Sequence, residues 1–384
     1  MERYIGLMSG TSVDAIDAAL VEFEEPPPPD DTGNGEPAFR VLHTLAFPFS
    51  PELRERINAV IAGDLAHAKA IWRLDREIGE CFAEAALALV AAAGEKAEGV
   101  RAIASHGQTV YHAPSPPEAI TVQLGDPNLI AERTGITTVA DLRRRDVAAG
   151  GQGAPLAPAF HSAMLRSGHG ARAVLNLGGI ANLSLLPAQG EAGAVLGFDT
   201  GPANTLLDRW CEARTGRPFD RDADWASTGS VIDDLLDALL ADPYFAVPPP
   251  KSTGREHFHL AWLERALPSQ ARGARDEDVA RTLVELTART AADALLEHGP
   301  HCIDVLVCGG GAHNPLLMDR LAKLMAPRTV ATTLSAGLHP DWVEAVAFAW
   351  LAQQTLARKP GNIPSVTGAS APVVLGAVYA GAKR

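Results

Sequence analysis

A two-lobed α/β protein is the fold class this sequence predicts, on three observations. The chain has 384 residues, 47% of them hydrophobic, which is beyond the size at which a single core stops growing. Strand-like apolar runs come in two sets of three, each set followed by helical patterns. A glycine turn follows the first strand of each set, at Met8-Ser9-Gly10 and at Leu177-Gly178-Gly179.

The first set reads as strands at Tyr4–Met8, Asp17–Phe23 and Val41–Phe47, then helices near 51–62 and 65–93. Strands at Ala102–Ser105 and Ile120–Leu124, a helix near 127–134 and a strand at Ile136–Ala140 follow. The segment EEPPPPDDTGNGEP cannot build a core and is expected as a solvated hairpin extension. The second set reads as Ala173–Leu177, Ala181–Leu186 and Val195–Phe198, with helices near 203–214, 231–241 and 276–297. A late strand at Asp304–Cys308 runs into a glycine turn and a helix from about 315, and a last amphipathic helix covers 342–357.

Charge and composition exclude several function classes. Lys plus Arg total 33 against 46 Asp plus Glu, a formal charge of -13, which opposes nucleic acids and anionic membranes as partners. An anionic substrate must then be met locally by backbone amides, helix N-termini or a divalent cation. No apolar run of about 18 residues occurs, the N-terminus reads as neither signal peptide nor targeting helix, and Cys81, Cys211, Cys302 and Cys308 form no C-x-x-C pair. A cytoplasmic protein with buried, reduced thiols is expected.

Five motifs carry candidate chemistry. In Gly6-Leu7-Met8-Ser9-Gly10-Thr11-Ser12, Gly10 lets the backbone approach phosphate oxygens, Thr11 and Ser12 add donors, and Asp14 or Asp17 can reach Mg2+ through water. The same residues also suit an ordinary hairpin turn. Gly178, Gly179 and Asn182 repeat the pattern in the second set and with it would make a phosphate clamp. In Gly197-Phe198-Asp199-Thr200-Gly201 an aspartate ends an apolar strand before a helix. Facing that helix N-terminus, Asp199 is expected to be ionised and to serve as general base, with a turn cap as the rival reading. Gly309, Gly310 and Gly311 leave backbone open to a flat ring, or merely permit a close crossing, with Asn314-Pro315 as N-cap and first helical residue.

Asp341-Trp342-Val343-Glu344 has the spacing of a capping box. His106 and Gln108 in SHGQT, and Gln152 in DVAAGGQG, read as sugar-hydroxyl contacts or as ordinary polar loops. Glu256, His257 and His259 lack a further partner at metal-ligand spacing, so no zinc site is assigned. There is no G-x-x-x-x-G-K-[ST] and no H-R-D set.

Taken in order, LMSGTSVDAIDAAL, ASHGQTVYH, the stretch from Gln123 to Pro155, LNLGGIANL, GFDTGPAN, PPPKSTGREHF, VCGGGAHN, EAVAFAWLA and GNIPSVTGA closely resemble the anhydro-N-acetylmuramic acid kinase family nearly end to end. The sequence departs from the family pattern at Ala15 and Ala203, where glycine is usual, and in the acidic insertion near 24–37. The resemblance implies an actin- and hexokinase-type (ribonuclease H-like) fold of two lobes about a cleft. It also implies use of ATP with Mg2+ and a homodimer. The first lobe is expected over 1–140 with 365–384, holding the phosphate hairpin and part of the sugar site, and the second over 141–364, holding the catalytic aspartate and adenosine site. The implied reaction opens the 1,6-anhydro ring of anhydro-N-acetylmuramic acid and phosphorylates O6, in cell-wall recycling. Asp199 matches the family's catalytic aspartate, and Glu344 is implied to hold water or substrate. The alternatives are a conventional sugar kinase without ring opening and a nucleotide-sensing protein without turnover.

Overall fold

The computed structural model describes residues 1–10, 12–24, 39–65, 67–254, 256–267, 271 and 273–382. Thr11 and nearly all of the proline-rich insertion lie outside the described residues. Among the described residues the strands are, in chain order, β1 (Glu2–Met8), β2 (Ala15–Phe23), β3 (Phe39–Pro48), β4 (Ala102–Ser105), β5 (Gln108–Ala113), β6 (Ile120–Leu124), β7 (Thr138–Ala140), β8 (Arg172–Leu177), β9 (Ile180–Leu186), β10 (Leu196–Pro202), β11 (Asp304–Cys308), β12 (Thr329–Thr332) and β13 (Ala377–Tyr379).

The chain divides into two compact units, Met1–Leu165 with Trp342–Arg384, and Arg166–Asp341. The first holds a sheet in the order β13-β7-β4-β1-β2-β3, and the second a sheet in the order β10-β9-β8-β11-β12. In each, a three-stranded antiparallel meander is continued from its first strand by parallel strands on the other edge. This repeated plan is the actin- and hexokinase-type fold that the resemblance implies. Each unit has its own apolar core, one around Ile5, Leu7, Phe82 and Ile103, the other around Leu175, Phe198, Leu283 and Val307.

The strands are buried because helices cover them. Helix Ala68–Ala92 buries Leu74, Ile78, Phe82, Ala85, Ala86 and Leu89, an apolar stripe at helical spacing. Helix Val343–Leu356 is apolar almost all round and packs on β1, β2 and β4. It approaches so closely that a Cβ on Gly6 would collide with the carbonyl of Ala345 and lie 2.7 Å from the amide nitrogen of Ala349.

That helix, with Ala157–Met164 packed against it, explains why the unit boundaries differ from those expected at 140/141 and 364/365. Residues 141–165 and 342–364 therefore belong to the first unit. β10 continues to Pro202, beyond the expected end at Phe198, so Asp199 and Gly201 lie within a strand. Short elements without a long apolar pattern, β5, β12, β13 and the helices Arg144–Ala148, Ala157–Met164 and Leu260–Ala266, add to the expected set. Cys211, Cys302 and Cys308 are buried and Cys81 half-buried, all as free thiols. Among the described residues no helix is long and apolar enough to cross a membrane.

Candidate active site

In the second unit, antiparallel pairing of β9 and β10 sets Asn182 directly opposite Asp199. The Asn182 Nδ2 donates to Asp199 Oδ1 at 2.9 Å, the cross-strand contact that such a register permits. The other oxygen, Oδ2, accepts from the backbone N–H of Thr253 at 3.0 Å. The pairing register shifts between Asp199 and Gly201. Gly201 has φ of +152°, and a Cβ there would meet the Phe245 ring at 2.8 Å, so this bulge requires glycine.

Residues 244–253 are fastened to the same aspartate. Tyr244 donates its hydroxyl to the Asp199 carbonyl at 2.9 Å, and the Asp199 amide donates to the Lys251 carbonyl at 3.1 Å. Lys251 Nζ in turn donates to the carbonyls of Tyr244 and Phe245 at 3.3 and 3.1 Å, over the Tyr244 ring. A cavity of about 580 Å³ opens beside this loop, lined by Tyr244, Thr253, Glu256, His257 and Arg265 among others. A larger one, of about 690 Å³, lies at the N-terminal ends of β1 and β4, the opposite end of β1 from Ser9.

Burial pushes the Asp199 carboxyl above the usual carboxylate range, and Glu256 adds to the rise. The hydrogen bonds from Asn182 and Thr253 and the Lys251 charge pull the other way. The expectation that a helix N-terminus keeps Asp199 ionised is corrected here. The first amides of helix Asn204–Thr215 are taken by the glycine turn, with Ala203 and Thr205 donating to the Gly179 carbonyl and Asn204 to that of Gly178, each at 3.0 Å. A base with a raised pKa is nearer the operating pH, where proton transfer is most effective.

The three glycines after β11 separate into two kinds. Gly309, at φ +79°, and Gly311 lie against Asn176 and Leu177, so they permit a close crossing. Gly310 is exposed, and its nearest neighbour in the Cβ direction is Asn204 Nδ2 at 3.5 Å. Asn314 caps the next helix, accepting from Leu317 N at 2.9 Å with Pro315 at the first position.

In the first unit, buried Ser9 donates to Gln108 Oε1 at 2.6 Å, and Gln108 Nε2 donates to the carbonyls of Gly10 and Thr109 at 3.3 and 3.2 Å. Asp14 is exposed, and its Oδ1 accepts from Ser12 and, at 3.0 Å, from the Ala15 amide. His106 is buried, with Nδ1 against the Gly107 carbonyl at 2.8 Å and Nε2 accepting from Arg143 Nε at 2.9 Å. An arginine Nε can only donate, which fixes the proton on Nδ1. Burial and the adjacent Arg143 charge drive the His106 pKa well below its ordinary value, so the ring is neutral. Glu344 is half-buried in the first turn of its helix. Desolvation raises its pKa against the pull of Arg143.

The family model for anhydro-N-acetylmuramic acid kinase matches residues 2–381. The chain belongs to the anhydro-N-acetylmuramic acid kinase family. It is 54% identical over 379 residues to the anhydro-N-acetylmuramic acid kinase of Xanthomonas campestris pv. campestris, covering 98% of this chain and 97% of that protein. It is 52% identical over 377 residues to that of Xanthomonas axonopodis pv. citri, covering 98% and 97%. With that of Coxiella burnetii it is 48% identical over 382 residues, covering 100% and 98%.

Within this kinase family the sequence-derived candidates fall into place unevenly. Asn182, expected at phosphate, has its amide nitrogen on Asp199, and Gln108 is fully buried with its amide spent on the Ser9–Gly10 turn and the Thr109 carbonyl. Glu344 is not a helix cap: Trp342 holds the cap position with no side-chain bond, and Asp341 instead faces His313 at 2.6 Å. Gln152 is half-buried in the loop held by its amide on the Thr367 carbonyl. Asp17 stands in β2 opposite Met8. The residues that sequence reading did not single out are Arg143 and Thr253, and Asp146 was read only as part of the polar DVAAGGQG loop. Each acts through contacts between distant segments, and the only local signal was the density of polar residues and glycines at 141–153.

Proposed function

We propose that this kinase consumes ATP and water to open the 1,6-anhydro ring of anhydro-N-acetylmuramic acid and to place the γ-phosphoryl group on O6, giving N-acetylmuramic acid 6-phosphate and ADP in cell-wall recycling. The observation that carries the reading is Asp199, one desolvated carboxyl held by two neutral donors and raised in pKa. Asp199 takes a proton from water as the water oxygen bonds to C1. The C1–O6 bond breaks, its electron pair stays on O6, and O6 attacks γ-phosphorus as the bond to ADP breaks. Phosphorus thereby replaces the second carboxylic acid that glycosidases use to protonate a leaving oxygen, and general-base assistance is worth about 10²–10⁴-fold.

The turn at Ser9, Gly10, Thr11 and Ser12 is assigned to phosphate, as are Gly178 and Gly179, while Gly310 offers the open backbone for the adenosine. Glu344, which has no hydrogen-bond partner among the described residues, is assigned to water or sugar. Mg2+ is assigned to the phosphates, with Asp14 or Asp17 reached through water. Mg2+ would offset the charge developing on the transferred group. The test is product analysis with MgATP and the anhydro sugar for wild type and Asp199→Asn. An ADP-coupled phosphorylated product that falls at least about 10²-fold in the variant supports the reading, and turnover unaffected by the variant overturns it.

A further inference from the structure

β10 is the outer strand of its sheet, so the outward backbone groups beside Asp199 have no neighbouring strand to bond them. The segment 244–253 supplies their partners instead. At its centre, Pro248, Pro249 and Pro250 offer no N–H, so this stretch cannot be bonded by its own amides. Lys251 makes up the shortage. Its Nζ reaches back to the carbonyls of Tyr244 and Phe245 at 3.3 and 3.1 Å and lies 4.8 Å from the centre of the Tyr244 ring, a cation–π contact. One ammonium thus closes the loop across its prolines.

Both sides of the closed loop terminate on Asp199. From one side the Tyr244 hydroxyl donates to the Asp199 carbonyl at 2.9 Å. From the other, the Lys251 carbonyl accepts from the Asp199 amide at 3.1 Å, and the Thr253 amide donates to Oδ2 at 3.0 Å. The link between Lys251 and Tyr244 therefore fixes the backbone of Asp199 and one of its carboxyl oxygens. The charges that face the ammonium are Asp199 on β10 and Glu297 in the last turn of helix Asp276–His298, which favour its charged form while burial opposes it. His257, which meets the Tyr244 ring edge-on, has Nε2 against Asp242 Oδ2 at 3.1 Å.

We propose that Lys251 is a positioning residue for the reaction: by stapling the 244–253 loop to itself, it holds the Tyr244 hydroxyl and the Thr253 amide on Asp199. The inference rests on the function proposed above, in which Asp199 is the base. Without the staple the loop is released from the edge of β10. Asp199 then loses the Thr253 donor and a nearby positive charge together, both of which favour its carboxylate form. Asn182 remains as its donor and Glu256 still opposes ionisation, so its pKa rises further. The carboxyl is also freed to turn away from the water it activates. Lys251 acts through Asp199 and not on substrate, so its loss falls on kcat rather than on KM.

Lys251→Met keeps the apolar stem and removes the ammonium, whereas Lys251→Arg keeps a cation. Hydrogen–deuterium exchange of the peptides covering 196–202 and 251–254 reads the staple without depending on catalysis, and a pH–rate profile with MgATP and the anhydro sugar reads its effect on Asp199. The expected result for Lys251→Met is lost protection in both peptides, a kcat lower by about 10- to 100-fold with KM for both substrates unchanged, and an acid limb of kcat/KM displaced to higher pH. Lys251→Arg should recover part of the protection and part of the limb position. If Lys251→Met does not fold, Lys251→Gln, which keeps a donor for the two carbonyls, decides instead: the acid limb must still move up, because the charge is gone. Unchanged protection in Lys251→Met, or an acid limb that stays in place in the neutral variants, would overturn the proposal. Protection lost in Lys251→Met, without turnover in wild type, would support the staple and sink the reaction assigned above.

Discussion

Asn182 and Asp199 face each other across β9 and β10, the amide nitrogen 2.9 Å from Oδ1. The bond favours the carboxylate form, so it moderates the rise in pKa that burial imposes on Asp199. Asn182→Ala removes this donor and raises the Asp199 pKa further. Asp199 is competent only when deprotonated, so activity is lost as pH falls through its pKa. The acid limb of kcat/KM should therefore move to higher pH in the variant, and a pH–rate profile of both enzymes checks the direction.

Gly6 has no room for a side chain, because Ala345 and Ala349 present backbone atoms and cannot swing aside. Gly6→Ala should cost about 3 kcal/mol, the upper end of ordinary overpacking. Urea unfolding at constant m-value measures it.

Asp146 binds three donors from two segments while fully buried. Asp146→Ala leaves the Gly153 amide, the Asn362 amide and the Thr367 hydroxyl without their acceptor. A loss of about 3 kcal/mol or more follows from the usual cost of unsatisfied buried groups. Thermal unfolding reads the change.

Glu344 separates a structural from a functional role. Removing a true cap costs about 1 kcal/mol, but here the cap position makes no side-chain bond. Glu344→Gln should therefore remain within about 0.5 kcal/mol of wild type, while kcat falls about 10²-fold if the carboxyl serves water or sugar as proposed. Paired denaturation and kinetic measurements check both parts.

The meanders, the parallel strands and the long helices were legible because burial writes itself as runs of Ile, Leu and Val and as stripes such as Leu74, Ile78 and Phe82. β12, β13 and the helix at Arg144–Ala148 were not, since three to five residues carry no period. Asp199 was visible from its place after an apolar run, but its environment was misjudged. The helix amides close to it in sequence serve Gly178 and Gly179, and its own donors come from Asn182 and, 54 residues away, Thr253. Asp341 and Glu344 have capping-box spacing, yet the helix starts one residue too late for Asp341 to cap it. Arg143 was hidden for a similar reason: its partners His106 and Gly153, and their support from Asn362 and Thr367, meet only in the folded chain.

The central claim is that water attack at C1 and phosphoryl transfer to O6 occur together under Asp199. Mass spectrometry of the product formed in ¹⁸O-water with MgATP and the anhydro sugar tests it most directly. The account predicts a phosphorylated sugar bearing one ¹⁸O at C1, lost in Asp199→Asn. A phosphorylated sugar with its anhydro bridge intact and no label would contradict it.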